Sequence, residues 1–408
     1  MINRRQFLLT SLATATSFLS GCSRSQDVLD VTLLQGSIPP QLIGDFYKNA
    51  DNKNQIKFKP TKQIQQIFEF ITKLQEDEKK QTSPIFKILP SFGQPSAQEN
   101  QLVSLGDAWL KEAIAQNLIQ PLDLDPLEKW QQISPTWKKL VKRDSQGNPS
   151  PQGKLYGAPY RWGSVVIAYR KDKIDWTPQN WSDLWKEELQ GRISLLDNYR
   201  EVIGLTLKKI GYSYNTKDLS QIKGLSAELQ ELHKQVKFYS SDKYLQPLLL
   251  GDTWLAVGWS SDILSITDRY KDIGVVVPNS GTSLWSELWV QPSHNSLNPN
   301  QDKLNSLAKT WIDYCWETTS TRQILLFTDG ISPTITTNTG VSSSEVSNPE
   351  KSAGVNSISE DLAQDLESKP ILNSMLAAFS QSEFIDSLPP EIDKSYLELW
   401  QKVRTAKS

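Results

Sequence analysis

Trp285 and Glu287 stand two residues apart in the run Thr282-Ser283-Leu284-Trp285-Ser286-Glu287-Leu288-Trp289. Residues two apart on an extended strand face the same side, so one indole ring and one carboxylate would enter the same space together. The face of the ring attracts a cation, worth about 0.5 to 2 kcal/mol. A charge-assisted hydrogen bond to the carboxylate adds about 1.5 to 3 kcal/mol. A ring and a carboxylate on one face could together hold a cation. The competing reading is a surface acid beside a core tryptophan.

A second set of polar residues lies between Gly191 and Thr216. Ile193, Leu195 and Leu196 read as a short buried strand, and Ile203, Leu207 and Ile210 recur at helical spacing until Gly211 ends the helix. Asp197, Asn198 and Glu201 therefore sit at the C-terminal end of a strand, where open α/β sheets bind ligands. The alternative is local: Asp197 or Asn198 caps the helix and Glu201 is a first-turn acid facing its dipole. Gly106-Asp107-Ala108-Trp109-Leu110 repeats the geometry, a turn at a strand end that points backbone N–H groups and the Asp107 carboxylate toward a cleft. Trp259 closes the apolar run from Trp254, with Asp252 and Asp262 nearby as ligand acids or helix caps.

The elements that must position these groups are those of an α/β protein. Val31 to Leu34 reads as a strand running into Gly36-Ser37-Ile38-Pro39-Pro40, with a helix beyond. Ile64 to Leu74 reads as an amphipathic helix, and Pro84 to Pro90 and Leu102 to Leu105 read as strands. An exposed connection over Trp130 to Gln152 leads into Gly157 to Ser164 and the apolar run Val165 to Tyr169. Gly274 to Pro278 is another buried strand, and Leu304 to Thr328 is helical, with Cys315 a buried small hydrophobe. Thr334 to Ile358 is rich in Ser, Thr, Asn and Gly and reads as a flexible loop.

Composition bounds the function. The chain has 408 residues, enough for two or three cores, and a formal charge of -2 from 44 basic and 46 acidic residues. No global field points to nucleic acid, so charge selectivity must be local. There is no Gly-x-Ser-x-Gly elbow, no His-Glu-x-x-His, no P-loop and no cysteine cluster, and His233 and His294 are the only histidines. Metal centres, cofactors and Ser-His relays are not expected. A Glu201–Glu287 pair in the manner of a glycosidase is the remaining enzymatic reading.

The stretch Gly-Arg-Ile-Ser-Leu-Leu-Asp followed by Arg-Glu-Val-Ile-Gly and Lys-Lys-Ile-Gly-Tyr-Ser-Tyr-Asn-Thr resembles the spermidine/putrescine-binding proteins of polyamine importers of the ABC type. The resemblance covers nearly the whole mature chain and is strongest over Gly191 to Thr216, Trp254 to Trp289 and Gly106 to Asp123. It implies the two-lobed periplasmic binding-protein fold (type II-like), with α/β lobes joined by two crossing strands. Residues 27–158 and 280–408 would form the first lobe and 159–279 the second. It further implies that Trp285 and Glu287 hold an ammonium group, that Trp259 lines the cleft, and that Asn198 and Glu201 match two ligand acids, one of them now an amide. Ser37 and Asp107 would face the ligand from the first lobe. The aromatic residues that such proteins carry before the prolines are replaced by Leu34, Gln35, Gly36 and Ser37; with the amide at Asn198 this leaves a monocationic, zwitterionic or less extended ligand as an alternative, and a tethered sensor or scaffold as another. The expected partners are a polyamine, a membrane permease and a separate ATPase, with the protein itself a monomer.

The N-terminus reads as a targeting segment. Asn-Arg-Arg-Gln-Phe-Leu matches a twin-arginine export signal, and Leu19-Ser20-Gly21-Cys22 resembles the box cleaved by bacterial lipoprotein signal peptidase. Residues 1–22 would then be a signal peptide ending at Cys22, the lipidated first residue of an extracytoplasmic, membrane-tethered bacterial protein.

Overall fold

The structure, a computed structural model, describes residues 28–49, 55–81, 101–293, 304, 306–335 and 360–405. The signal segment with Cys22, the strand expected at Pro84 to Pro90, and the loop expected at Thr334 to Ile358 except for its first two residues lie outside the described residues. Those two are packed: Ile335 is buried, and Thr334 Oγ1 lies 3.0 Å from Thr321 Oγ1.

Thirteen strands follow along the described chain: β1 (Leu29–Leu34), β2 (Ile56–Thr61), β3 (Gln101–Gly106), β4 (Ile119–Gln120), β5 (Lys142–Arg143), β6 (Lys154–Leu155), β7 (Ala158–Arg170), β8 (Ile193–Leu195), β9 (Val236–Tyr239), β10 (Leu255–Trp259), β11 (Ile273–Val276), β12 (Ser283–Pro292) and β13 (Glu383–Phe384). One hydrogen-bonded path runs β2-β1-β3-β12-β7-β10-β8-β9. β1 pairs with β2 and β3 in parallel, as strands joined by crossover helices must.

The long strand β7 belongs to two sheets. Its first part, up to Ser164, pairs antiparallel with β12. From Val165 onward it pairs with β10 on one side, and from Ile167 with β11 on the other. The chain returns from β11 to β12 through residues 277–282. Two α/β layers are thus joined at β7, with the change of partner at Ser164/Val165, and at residues 277–282, and a third pass leads into the last helix. β7 is buried along nearly its whole length, which explains why its sequence is almost continuously apolar.

The helices match the periodicity. Tyr199–Lys209 begins at Asn198 and carries Val202, Ile203, Leu205 and Leu207 inward. The last helix, Pro390–Thr405, packs against Tyr199–Lys209 and Leu225–Gln235, although it lies in the stretch expected with the first lobe. Tyr396 anchors it by donating to the Thr216 carbonyl at 2.7 Å.

Tryptophans supply much of the core. Trp289 stacks on Tyr160 with centroids 4.3 Å apart and meets Trp311 edge-on. Cys315 is fully buried, and burial pushes its thiol well above the usual range, as for a small hydrophobe. Trp162 is core, packed between Trp137 and Phe379.

Candidate functional site

β12 organises the site. Ser283, Trp285 and Glu287 alternate along one face of it, as the spacing predicts. The Trp285 ring lies over Gly163 of β7, so closely that any β-carbon there would collide with it. Its indole N–H donates to the Ser164 carbonyl at 3.3 Å.

Two carboxylates from different layers converge on this strand. Glu201, from the first turn of Tyr199–Lys209, accepts a hydrogen bond from Ser283 Oγ at 2.6 Å. Asp107, at the end of β3, accepts from the Ser286 backbone N–H at 2.8 Å. Burial raises the Glu201 carboxyl to about 7. The Ser283 hydrogen bond and the Arg200 charge act against this, and the Asp107 charge adds to it. Burial likewise raises Asp107 to about 6, against the Ser286 hydrogen bond and the charge of Arg143. Among the described residues no ion pair joins Glu201 or Asp107 to a cation. A desolvated carboxylate without a bonded counter-charge favours either a proton or a cation from outside.

Glu287 differs. Arg161 Nη2 forms an ion pair with Glu287 Oε1, and the Tyr160 hydroxyl donates to Oε2. Tyr160 also lies 3.0 Å from Ser37 Oγ and 2.8 Å from Ser104 Oγ, so Ser37 enters the same buried network. Burial first, and the charge of Glu287 second, push the Tyr160 phenol well above its ordinary value. Neighbouring strand residues normally face opposite ways, yet Tyr160 and Arg161 both reach Glu287. The cause is a bulge: the β7–β12 register pairs Glu287 with Arg161 but Leu288 with Pro159, leaving Tyr160 as the extra residue. Ser37 is presented by a turn in which its N–H donates to the Leu34 carbonyl at 3.1 Å and Gly36 has φ +83°, the left-handed conformation a glycine supplies.

Two sequence candidates are used elsewhere. Asn198 is the helix cap, its side-chain oxygen accepting from the N–H groups of Arg200 and Glu201. Asp197 pairs with Arg404 of the last helix at 2.7 Å on the exposed surface. For Asn198 the local alternative accounts for the contacts, because the turn leaves the helix N–H groups to be satisfied, whereas Asp197 is engaged by a guanidinium that Pro390–Thr405 brings to the strand end. Trp259 is half-buried at the end of β10, its backbone N–H donating to the Tyr244 hydroxyl at 3.1 Å. The same hydroxyl lies 3.2 Å from Asp262 Oδ2, so Asp262 joins this corner. Trp109 is half-buried against Phe68, with centroids 4.7 Å apart.

Sequence reasoning missed Arg161, Tyr160 and Ser283. The signal for Arg161 was present: a lone cation between aromatic residues in a strand otherwise reading as buried.

The model of the family described as bacterial extracellular solute-binding protein matches residues 102–354. The spermidine/putrescine-binding periplasmic protein of Escherichia coli (strain K12) is 29% identical over 180 residues, covering 44% of this chain and 49% of that protein. The putrescine-binding periplasmic protein PotF of the same strain is 23% identical over 210 residues, covering 47% and 55%. The chain spans about half the length of the curated relatives it matches. Among solved structures, the spermidine/putrescine ABC transporter substrate-binding protein PotD from Streptococcus pneumoniae strain Canada MDR_19A has a TM-score of 0.66 at 20% identity, covering 93% of this chain and 98% of that one. The maltose-binding protein MalE from Listeria monocytogenes, in complex with maltose, has a TM-score of 0.58 at 14% identity, covering 94% of each. These structures share the two-lobed α/β fold expected from the sequence, and at such identity they speak to fold alone. With more than half of its residues inside the family match, the chain belongs to the bacterial extracellular solute-binding proteins.

Proposed function

We propose that this protein captures a small organic cation of the polyamine class outside the cytoplasm and presents it to the permease of an ABC importer driven by a separate ATPase. The observation that carries the reading is the convergence of Glu201 and Asp107, from different layers, on the first half of β12. There they are desolvated, and among the described residues no ion pair holds them. A cation placed between them relieves the desolvation of both and contacts both layers, which is the requirement for a ligand to favour a closed form. Trp259, at the end of β10, offers a ring face to the methylenes and the charge. The names of the curated relatives support the polyamine class, and the maltose-bound neighbour is a reminder that the fold accepts other solutes.

The tether belongs to the same proposal. The twin-arginine motif and the Leu19-Ser20-Gly21-Cys22 box favour export followed by lipidation at Cys22, with a monomer working at the outer face of a bacterial membrane. No described helix is long and apolar enough to cross a membrane. Residues 27–158 and most of 280–408 forming one lobe, with 159–279 forming the other, is part of this reading.

Calorimetric titration of the full chain in detergent with putrescine, spermidine, γ-aminobutyrate and basic amino acids tests the reading. Saturable binding of an amine at one site is expected, with at least tenfold loss in Glu201→Gln. Heat with none of the amines would sink it. A different cationic or zwitterionic solute, the second reading, is favoured by Asn198 serving as a cap, because one expected ligand acid is then missing.

A further inference from the structure

The pairing of ring and carboxylate on β12 already holds a cation, and that cation belongs to the protein. Arg161 lies directly across from Glu287 in the β7–β12 register and forms an ion pair with it. Its Cζ stands 5.4 Å from the centroid of the Trp285 ring. Its Nη1 donates to the Thr328 carbonyl at 3.1 Å, fixing the guanidinium from a third side. One group therefore takes both features that the two-residue spacing offers to a ligand, the carboxylate and the aromatic face. The Tyr160 hydroxyl takes the second oxygen of Glu287, so both carboxylate oxygens are engaged inside the chain. The side chains of Arg161 and Glu287 are each only 4% exposed.

We propose that Arg161 is a resident counter-cation that sets the specificity of the site. It fills the Trp285–Glu287 position, so a ligand is held through one ammonium group, near Glu201 and Asp107, and the second ammonium group of a diamine gains nothing. This rests on the reading that the cleft captures an organic cation. A guanidinium stays charged throughout the working pH range, so protonation does not vacate the position. A second ligand charge approaching Trp285 meets a fixed like charge in a desolvated setting, where Coulomb repulsion is stronger than in water.

The test compares putrescine with n-butylamine, which has the same four carbons and one ammonium group, by calorimetry on the full chain in detergent. The readout is the ratio of the two affinities. In the unmodified protein putrescine is expected to bind less than fivefold more tightly, and a larger preference would overturn the proposal. In Arg161→Met the ratio is expected to rise at least tenfold, because the Trp285–Glu287 position becomes free for the second ammonium group. A ratio that does not rise would overturn it. Adding Glu287→Gln to Arg161→Met should abolish the rise. Where methionine at this position prevents folding, Arg161→Gln keeps an N–H donor for Glu287, removes the charge and carries the same expectation. If the unmodified protein binds neither amine, the capture reading falls by itself. Arg161→Met then still decides the inference, since acquired putrescine binding would show the position to have been filled, and none would refute it.

Discussion

Glu201 concentrates the conflict between folding and binding in one side chain. It is buried, receives the Ser283 hydroxyl, feels the Arg200 and Asp107 charges, and titrates near 7 instead of near the ordinary glutamate value. A carboxyl whose folded value is raised binds its proton more tightly in the folded than in the unfolded state. Stability therefore falls as pH rises from about 4 to about 7 and stays flat above that. Glu201→Gln keeps an acceptor for Ser283 and removes the charge. Chemical denaturation at pH 7.5 should show the variant about 1 to 3 kcal/mol more stable, with the difference disappearing near pH 4. Amine affinity should move the other way: at least tenfold weaker in the variant, and in the unmodified protein rising with pH through 6 to 7.5 as the carboxylate forms. A variant no more stable at pH 7.5 would mean that the carboxylate is not desolvated as the structure places it.

At the scale of the element, two adjoining strands form the floor on which the acids of neighbouring turns converge. β7 supplies Tyr160 and Arg161 through its bulge and a bare backbone at Gly163, and β12 supplies Ser283, Trp285 and Glu287. Gly163 is required by close approach, since a β-carbon there would run into the Trp285 ring and Ser260 Oγ together. Ser260 is itself fixed, its hydroxyl receiving the Ser164 N–H at 3.2 Å. Gly163→Ala must push the indole off β7 or spread the strands. A loss of about 1 to 3 kcal/mol in stability is expected, typical of overpacking, with weaker amine binding and a shifted tryptophan emission. Unchanged emission and affinity would show that Trp285 is not held by this contact.

At the scale of the whole molecule, Glu201 and Asp107 belong to different layers, which are connected through β7, through residues 277–282 and through the chain leading into Pro390–Thr405. A ligand that bridges the acids shifts the molecule toward a closed form only through its differential contacts. Saturation at a hundred times the dissociation constant should add about 2.7 kcal/mol to stability. Small-angle scattering should show a smaller radius of gyration with the bound amine and no contraction in Glu201→Gln. Contraction in the variant at equal occupancy would mean that the bridge runs through other groups. In such a closure the helix Pro390–Thr405 would move with the layer of β8, because Arg404, Tyr396 and Asp393 bind Asp197, Thr216 and Tyr199 there.

Local periodicity was sufficient to place the strands at Val31, Leu102, Ile193 and Ile273 and the helix running to Gly211, because each depends on residues within a turn or two of one another. It also placed Trp285 and Glu287 on one face and put Glu201 and Asp107 at strand ends. What each acid binds was decided only by the fold. The bulge that turns both Tyr160 and Arg161 toward Glu287 is a register shift between strands more than a hundred residues apart in the chain, and no local pattern encodes it. The partner of Asp197 comes from the last helix, which reaches the layer of β8 only after the chain has passed through the rest of the molecule. Sequence fixes which side chains are available at an edge or a face; long-range pairing decides which charges are already satisfied, and so which are left for a ligand.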